Sequence, residues 1–192
     1  MKKPVIAIDF DDCIVSTMPR VRDYYHDAFG IDIPLKDIYS SDPAIWQAPS
    51  PIAISRVDGF MMSREYQSGT PFSDALTALP ELARKYELHV VTGRPDPLED
   101  LTIAYCDRYF PGIFTSYEFT NHFGATRRPK AQVCADLGAT YLIDDHLHHA
   151  DGVALAGTKV LLFGNYPWNE REELHANITR VRDWAAVLKL LA

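Results

Sequence analysis

Short apolar runs, each bounded by turn-forming or charged residues, recur along this chain at Val5 to Ile8, Leu88 to Val91, Phe114 to Phe119, Thr140 to Ile143 and Lys159 to Phe163. Apolar and polar residues do not alternate strictly within them, which predicts strands covered on both faces. Stretches of helical period separate the last four runs, and strands that alternate with helices predict a parallel α/β sheet. Ser73-Asp74 supplies a cap for a helix from Ala75 to Lys85, and Gly138 ends a second helix from Lys130 to Leu137. The apolar positions from Ile178 to Leu191 predict a closing helix.

The long interval between the first two strands follows another pattern. Met18 to Phe29 carries aromatic and charged residues at helical spacing and stops at Gly30, whereas Ser40 to Pro51 holds Pro43, Pro49 and Pro51 and reads as largely loop. A further helix is predicted over Ile52 to Arg64. The expected architecture is therefore α/β, a Rossmann-like parallel sheet with helices on both faces. Its core comprises residues 1–15 and 75–192, with a small, mainly helical cap, residues 16–74, inserted after the first strand.

With 192 residues, 47% of them hydrophobic, the chain can bury one substantial core plus a modest insertion. A formal charge of -7 argues against a protein that tracks a polynucleotide backbone. It leaves room for a small anionic ligand held by local cations and a metal. Cys13, Cys106 and Cys134 are odd in number and widely spaced, which points to reduced thiols rather than a disulfide framework or a zinc site. Asp9, Asp11 and Asp12 interrupt the first apolar run far short of a signal sequence, and no other run is long enough to span a bilayer. A cytoplasmic protein is the expectation.

Asp9 and Asp11 follow directly on the first strand, at the carboxyl edge where open α/β sheets bind ligands. Two carboxyl groups one residue apart suit a reaction that needs one to attack phosphorus and another to protonate a leaving oxygen. Asp144 and Asp145 end a second strand. Oxygen ligands from two strand ends, with phosphate and water, are what octahedral magnesium accepts, although one of the two acids could instead cap the next helix. Thr92-Gly93-Arg94 ends a third strand and Lys130 starts a helix. A hydroxyl, an approachable glycine amide and a lysine together can hold a phosphoryl group; each alone has an ordinary structural use. His146, His148 and His149 are read as a polar loop in preference to a transition-metal site, and Tyr166-Pro167-Trp168-Asn169 as a packing turn.

In their order along the chain, AIDFDDCIV, HVVTGRP, RRPKAQVCADLGA and YLIDDH resemble the four motifs of the haloacid dehalogenase superfamily, over essentially the whole length. The resemblance implies a phosphatase in which Asp9 forms an aspartyl-phosphate and Asp11 serves as general acid and base. It implies Thr92, Gly93 and Lys130 around the phosphate, and magnesium held by Asp9, Asp11 and Asp145, with Asp144 assisting. Asp11 favours phosphate over halide chemistry, because the dehalogenases of the superfamily lack an acid there. Asp12 departs from the glycine common in this loop. The small cap and the LIDD ending resemble the cytosolic 5'(3')-deoxyribonucleotidase branch and related bacterial proteins, which implies a nucleoside monophosphate substrate. A sugar phosphate or other small metabolite is the alternative, and a phosphate-binding module without turnover is the alternative of another class. Tyr24, Tyr25, Phe29, Tyr39, Trp46, Phe60 and Tyr66 fall in or near the cap, where aromatic faces either build its core or stack on a base.

Overall fold

A computed structural model of the chain describes residues 3–121 and 127–191. Six strands, β1 (Val5–Ile8), β2 (Glu87–Thr92), β3 (Phe114–Phe119), β4 (Ala139–Asp144), β5 (Lys159–Phe163) and β6 (Ile178–Val181), form one sheet in the order β3-β2-β1-β4-β5-β6. Every pairing is parallel. The helices are α1 (Met18–Phe29), α2 (Pro43–Trp46), α3 (Ser50–Met62), α4 (Arg64–Gln67), α5 (Ala75–Lys85), α6 (Glu99–Tyr109), α7 (Lys130–Leu137), α8 (Leu147–Leu155) and α9 (Trp184–Leu191).

Successive strand residues point to opposite faces, and the two faces bury different sets. Ile6, Ile8, Val90, Ile143, Leu161 and Phe163 face a layer supplied by α5, α6 and α9. Ala7, Val91, Leu142, Val160 and Leu162 face α7 and α8. That double burial is why β1, β2, β4 and β5 read as continuous apolar runs. The helices between β1 and α5 close a third cluster of their own around Val21, Tyr25, Trp46, Phe60 and Tyr66, which Leu98 of the core joins.

Three local readings are corrected. The stretch predicted as one closing helix is divided: Ile178–Val181 is the edge strand β6, and α9 starts only at Trp184. Ile178 and Val181 are buried and Thr179 is exposed, a β-branched segment that extends β5, while Asp183 Oδ1 accepts from Ala186 N at 2.9 Å and opens the helix. Asp74 does precede α5, but its carboxylate accepts from Trp184 N at 3.0 Å, so it ties α9 to the core rather than capping α5. The proline-rich stretch is not all loop: Pro43 stands in the first turn of α2 behind Asp42, which accepts from Ala44 N. No helix among the described residues is long and apolar enough to cross a membrane.

Candidate active site

The strand order reverses between β1 and β4, and the acidic residues sit at that switch point, where the carboxyl ends of the strands diverge and leave a crevice. Asp9 N donates to Ile143 O at 2.8 Å, so the first residue beyond β1 is still stitched to β4. Lys130, at the start of α7, reaches across the crevice. Its Nζ lies 2.9 Å from Asp9 Oδ1 and 2.7 Å from Asp144 Oδ2, and its side chain is 2% exposed. Burial opposes charge on the lysine, but the two carboxylates outweigh it and hold it firmly protonated.

Asp9 Oδ1 also accepts from Phe10 N at 2.8 Å, while among the described residues no donor reaches Oδ2. Burial pushes the Asp9 carboxyl up to about 7, against the pull of Lys130 and with help from Asp144 and Asp11. Asp144 goes the other way: burial raises it, but Lys130 and His149 prevail and hold it below the ordinary carboxylate range. Its second oxygen accepts from His146 N at 2.9 Å, so both of its oxygens are committed. Asp145 is raised by burial and by its acidic neighbours. Trp168 Nε1 donates to Asp145 Oδ2 at 2.7 Å, and Asn169 Nδ2 donates to its backbone oxygen at 3.0 Å.

Asp11 has a different partner. Arg94 Nε and Nη2 donate to its two oxygens at 2.9 and 2.8 Å in a bidentate fork. Thr17 Oγ1 and Tyr66 Oη also donate to Asp11. Burial raises the Asp11 carboxyl, but Arg94 and these hydroxyls outweigh it and hold it below the usual range. The guanidinium is itself buried, lies 4.2 Å from the Phe10 ring centre, and donates to Thr102 Oγ1 and Tyr66 Oη.

Asp12, where the resembled loop has glycine, adopts φ 54°, the left-handed region that glycine enters freely and that asparagine and aspartate tolerate better than most other residues. Its buried carboxylate accepts from Thr17 N and Met18 N at 2.9 Å each, which satisfies two donors at the start of α1. Asp12 therefore joins the loop after β1 to the start of α1.

A cavity of about 120 Å³ opens at this edge, and Asp9, Asp11, Gly93 and Asp145 line it together with Arg94. Lys130, Thr92 and Asp144 stand behind that lining. Thr92 is fully buried; its Oγ1 accepts from Arg94 N at 3.2 Å and its carbonyl accepts from Thr120 N at 2.9 Å. Of the histidines, His149 Nδ1 lies 3.5 Å from Asp144, and His146 caps α8 by accepting from His148 N. Arg128 pairs with Glu118 and Asp136 on the outside of the core.

Asp9, Asp144 and His149 offer ligand atoms within 4.8 Å of one another. Lys130 already bridges Asp9 and Asp144, however, so a metal at that spot would compete with an ammonium. The donor chemistry fits a hard divalent cation better on the cavity side. Asp9 and Asp145 both line the opening there, and burial together with neighbouring carboxylates displaces both carboxyls upward, Asp144 and Asp11 acting on Asp9, and Asp144, Asp12 and Asp9 on Asp145.

Sequence reasoning did not single out Arg94, Thr17, Tyr66 or Trp168 as parts of the site. Arg94 directly follows the Thr92-Gly93 pair, and that adjacency was the available signal. Tyr66 and Trp168 reach the aspartates from 55 and 23 residues away, beyond any local pattern. The turn at Tyr166-Pro167-Trp168-Asn169, read as packing, instead holds both acidic loops: Tyr166 Oη donates to Asp12 O at 2.8 Å and Trp168 holds Asp145.

No family model matches this sequence, and no curated protein matches it. Solved structures do match its fold. A haloacid dehalogenase-like family hydrolase from Streptococcus pneumoniae superposes with a TM-score of 0.70 at 14% identity, covering 99% of both chains. A chain described as a predicted phosphoglycolate phosphatase from Haemophilus somnus gives 0.67 at 14% identity, covering 100% of this chain and 99% of that one. The HAD-hydrolase candidate YfnB from Bacillus subtilis, solved bound to magnesium, gives 0.66 at 12% identity with 100% and 99% coverage. At these identities the likeness establishes the haloacid dehalogenase-like fold, and the chemistry must be argued from the site.

Proposed function

We propose that this chain is a phosphomonoester hydrolase working through an aspartyl-phosphate on Asp9. The observation that carries the proposal is the state of Asp9 at the switch-point crevice. Asp9 lines the cavity; one of its oxygens is anchored by Lys130 and Phe10 N, and among the described residues no donor reaches the other. In the first step Asp9 Oδ2 attacks phosphorus, the bond from phosphorus to the ester oxygen breaks, and Asp11 gives that oxygen a proton. In the second step Asp11 takes a proton from water, the water oxygen bonds to phosphorus, and the bond to Asp9 breaks to free inorganic phosphate. Lys130, Thr92 and the Gly93 amide hold the phosphoryl oxygens. The pairing of Asp11 with Arg94 keeps it a carboxylate, the form the second step needs; for the first step the fork must open as substrate enters and Asp11 must take up a proton from solvent, which it then passes to the ester oxygen.

Magnesium would be held by Asp9, Asp145 and the Asp11 carbonyl, with Asp144 assisting. When bound, it offsets the repulsion between phosphate and carboxylates. Residues 16–74 act as a lid that selects the leaving group. A nucleoside monophosphate is the substrate class favoured here, and a sugar phosphate or other small metabolite is the alternative. The site serves a small substrate in a cytoplasmic protein.

Phosphate release from nucleoside monophosphates, sugar phosphates and an aryl phosphate, with and without magnesium, tests the reading. Asp9→Asn is the control. Magnesium-dependent release that disappears in Asp9→Asn supports the chemistry, and preference within the panel decides the class. No release from any ester would favour a binding module.

A further inference from the structure

A second cavity of about 230 Å³ lies among the inserted helices. Met18, Tyr39, Val57 and Asp58 line both it and the catalytic cavity, so the two spaces abut. Its long wall is one stripe of α3: Ser50, Ala53, Ile54, Val57 and Asp58 follow the three-and-four spacing of a single helix face, and Met61 continues that face into the catalytic cavity. Ile38 and Trp46 close the opposite side. The wall is apolar for most of its extent, and Asp58 is the carboxylate set into it where the cavities meet. Burial raises the Asp58 carboxyl, and among the described residues no cation offsets that effect. Its partners must come from solvent or from a ligand.

Resting on the phosphatase reading above, we propose that this cavity is the subsite for the leaving alcohol, and that Asp58 selects alcohols whose apolar ring carries hydroxyl or N–H donors while rejecting acidic ones. The apolar wall suits a ring, and a carboxylate at the junction accepts hydrogen bonds from donors near the ester oxygen. The same carboxylate repels a leaving group that carries its own negative charge, so one residue supplies both attraction and exclusion. A nucleoside meets both demands; glycolate does not. The cap aromatics divide accordingly. Tyr24 stacks on Phe60 with ring centres 4.6 Å apart, inside the cap's own core, while Tyr39 and Trp46 line the subsite.

The test compares kcat/KM for thymidine 5'-monophosphate, phosphoglycolate and p-nitrophenyl phosphate in wild type, Asp58→Asn and Asp58→Leu. In Asp58→Leu the ratio of nucleotide to aryl phosphate should fall roughly tenfold to a hundredfold, the worth of hydrogen bonds to a charged acceptor, mostly through KM. Asp58→Asn keeps an acceptor and should recover part of that ratio, while both variants raise phosphoglycolate relative to aryl phosphate. Unchanged ratios with active enzyme would overturn the subsite and leave the phosphatase reading standing. If wild type hydrolyses no ester, calorimetry with thymidine alone decides the matter: binding weakened in Asp58→Leu supports the subsite, and equal binding or none overturns it.

Discussion

Lys130 and Arg94 are both buried cations paired with aspartates of the same loop, yet they join different parts of the molecule. Lys130 ties β1 to β4 from the start of α7, so every group it touches belongs to the sheet and its flanking helices. Arg94 ties Asp11 to Tyr66 of α4, and Thr17, just ahead of α1, completes the cluster, so this network crosses from the sheet edge to the inserted helices. One cation builds a centre confined to the sheet and its flanking helices. The other makes the position of Asp11 depend on how the helices between β1 and α5 sit.

That difference is open to direct attack. Lys130→Met should have the largest effect, because it leaves Asp9 and Asp144 buried without their cation. Breaking such a pair costs about 3–5 kcal/mol, read as a lower denaturation midpoint, and turnover should be lost with it. Arg94→Met should cost about 1–3 kcal/mol, less because Asp11 retains hydroxyl donors and some exposure. Its distinguishing sign is faster amide exchange in α4 with exchange in β1 and β4 unchanged. Tyr66→Phe removes only the hydroxyl and should lower stability by about 1 kcal/mol, with the same localisation. Asp12→Gly should change stability by less than about 1 kcal/mol, since relief at a left-handed position offsets two lost bonds to the start of α1.

The legible parts of the fold were those whose neighbours are near in sequence or whose environment is uniform. β1, β2, β4 and β5 are buried on both faces, and their apolar runs announced them. β6 lies at the sheet edge with Thr179 exposed and Arg180 half-buried, and it leads into an apolar helix; its four residues merged with the helical pattern. Asp9, Asp11, Asp144 and Asp145 stood out because acids ending apolar strands are conspicuous. Arg94 did not: its pairing with Asp11 spans 83 residues, and only the three-dimensional approach of β2 to β1 brings them together. The same holds for Asp74, whose bond to Trp184 spans 110 residues.

The covalent step on Asp9 is the centre of the account. On this account Asp11→Asn loses both the acid of the first step and the base of the second, so with an aryl phosphate, whose leaving group needs no proton, only loss of the phosphoryl group should slow, by roughly 10²- to 10⁴-fold, and the intermediate should accumulate. Rapid quench of that variant after mixing with phosphoryl-labelled p-nitrophenyl phosphate and magnesium, followed by peptide mapping, measures it. The account predicts label on the peptide containing Asp9 and none in the Asp9→Asn, Asp11→Asn double variant. Substrate consumed with no covalent label, or label carried by another residue, would contradict it.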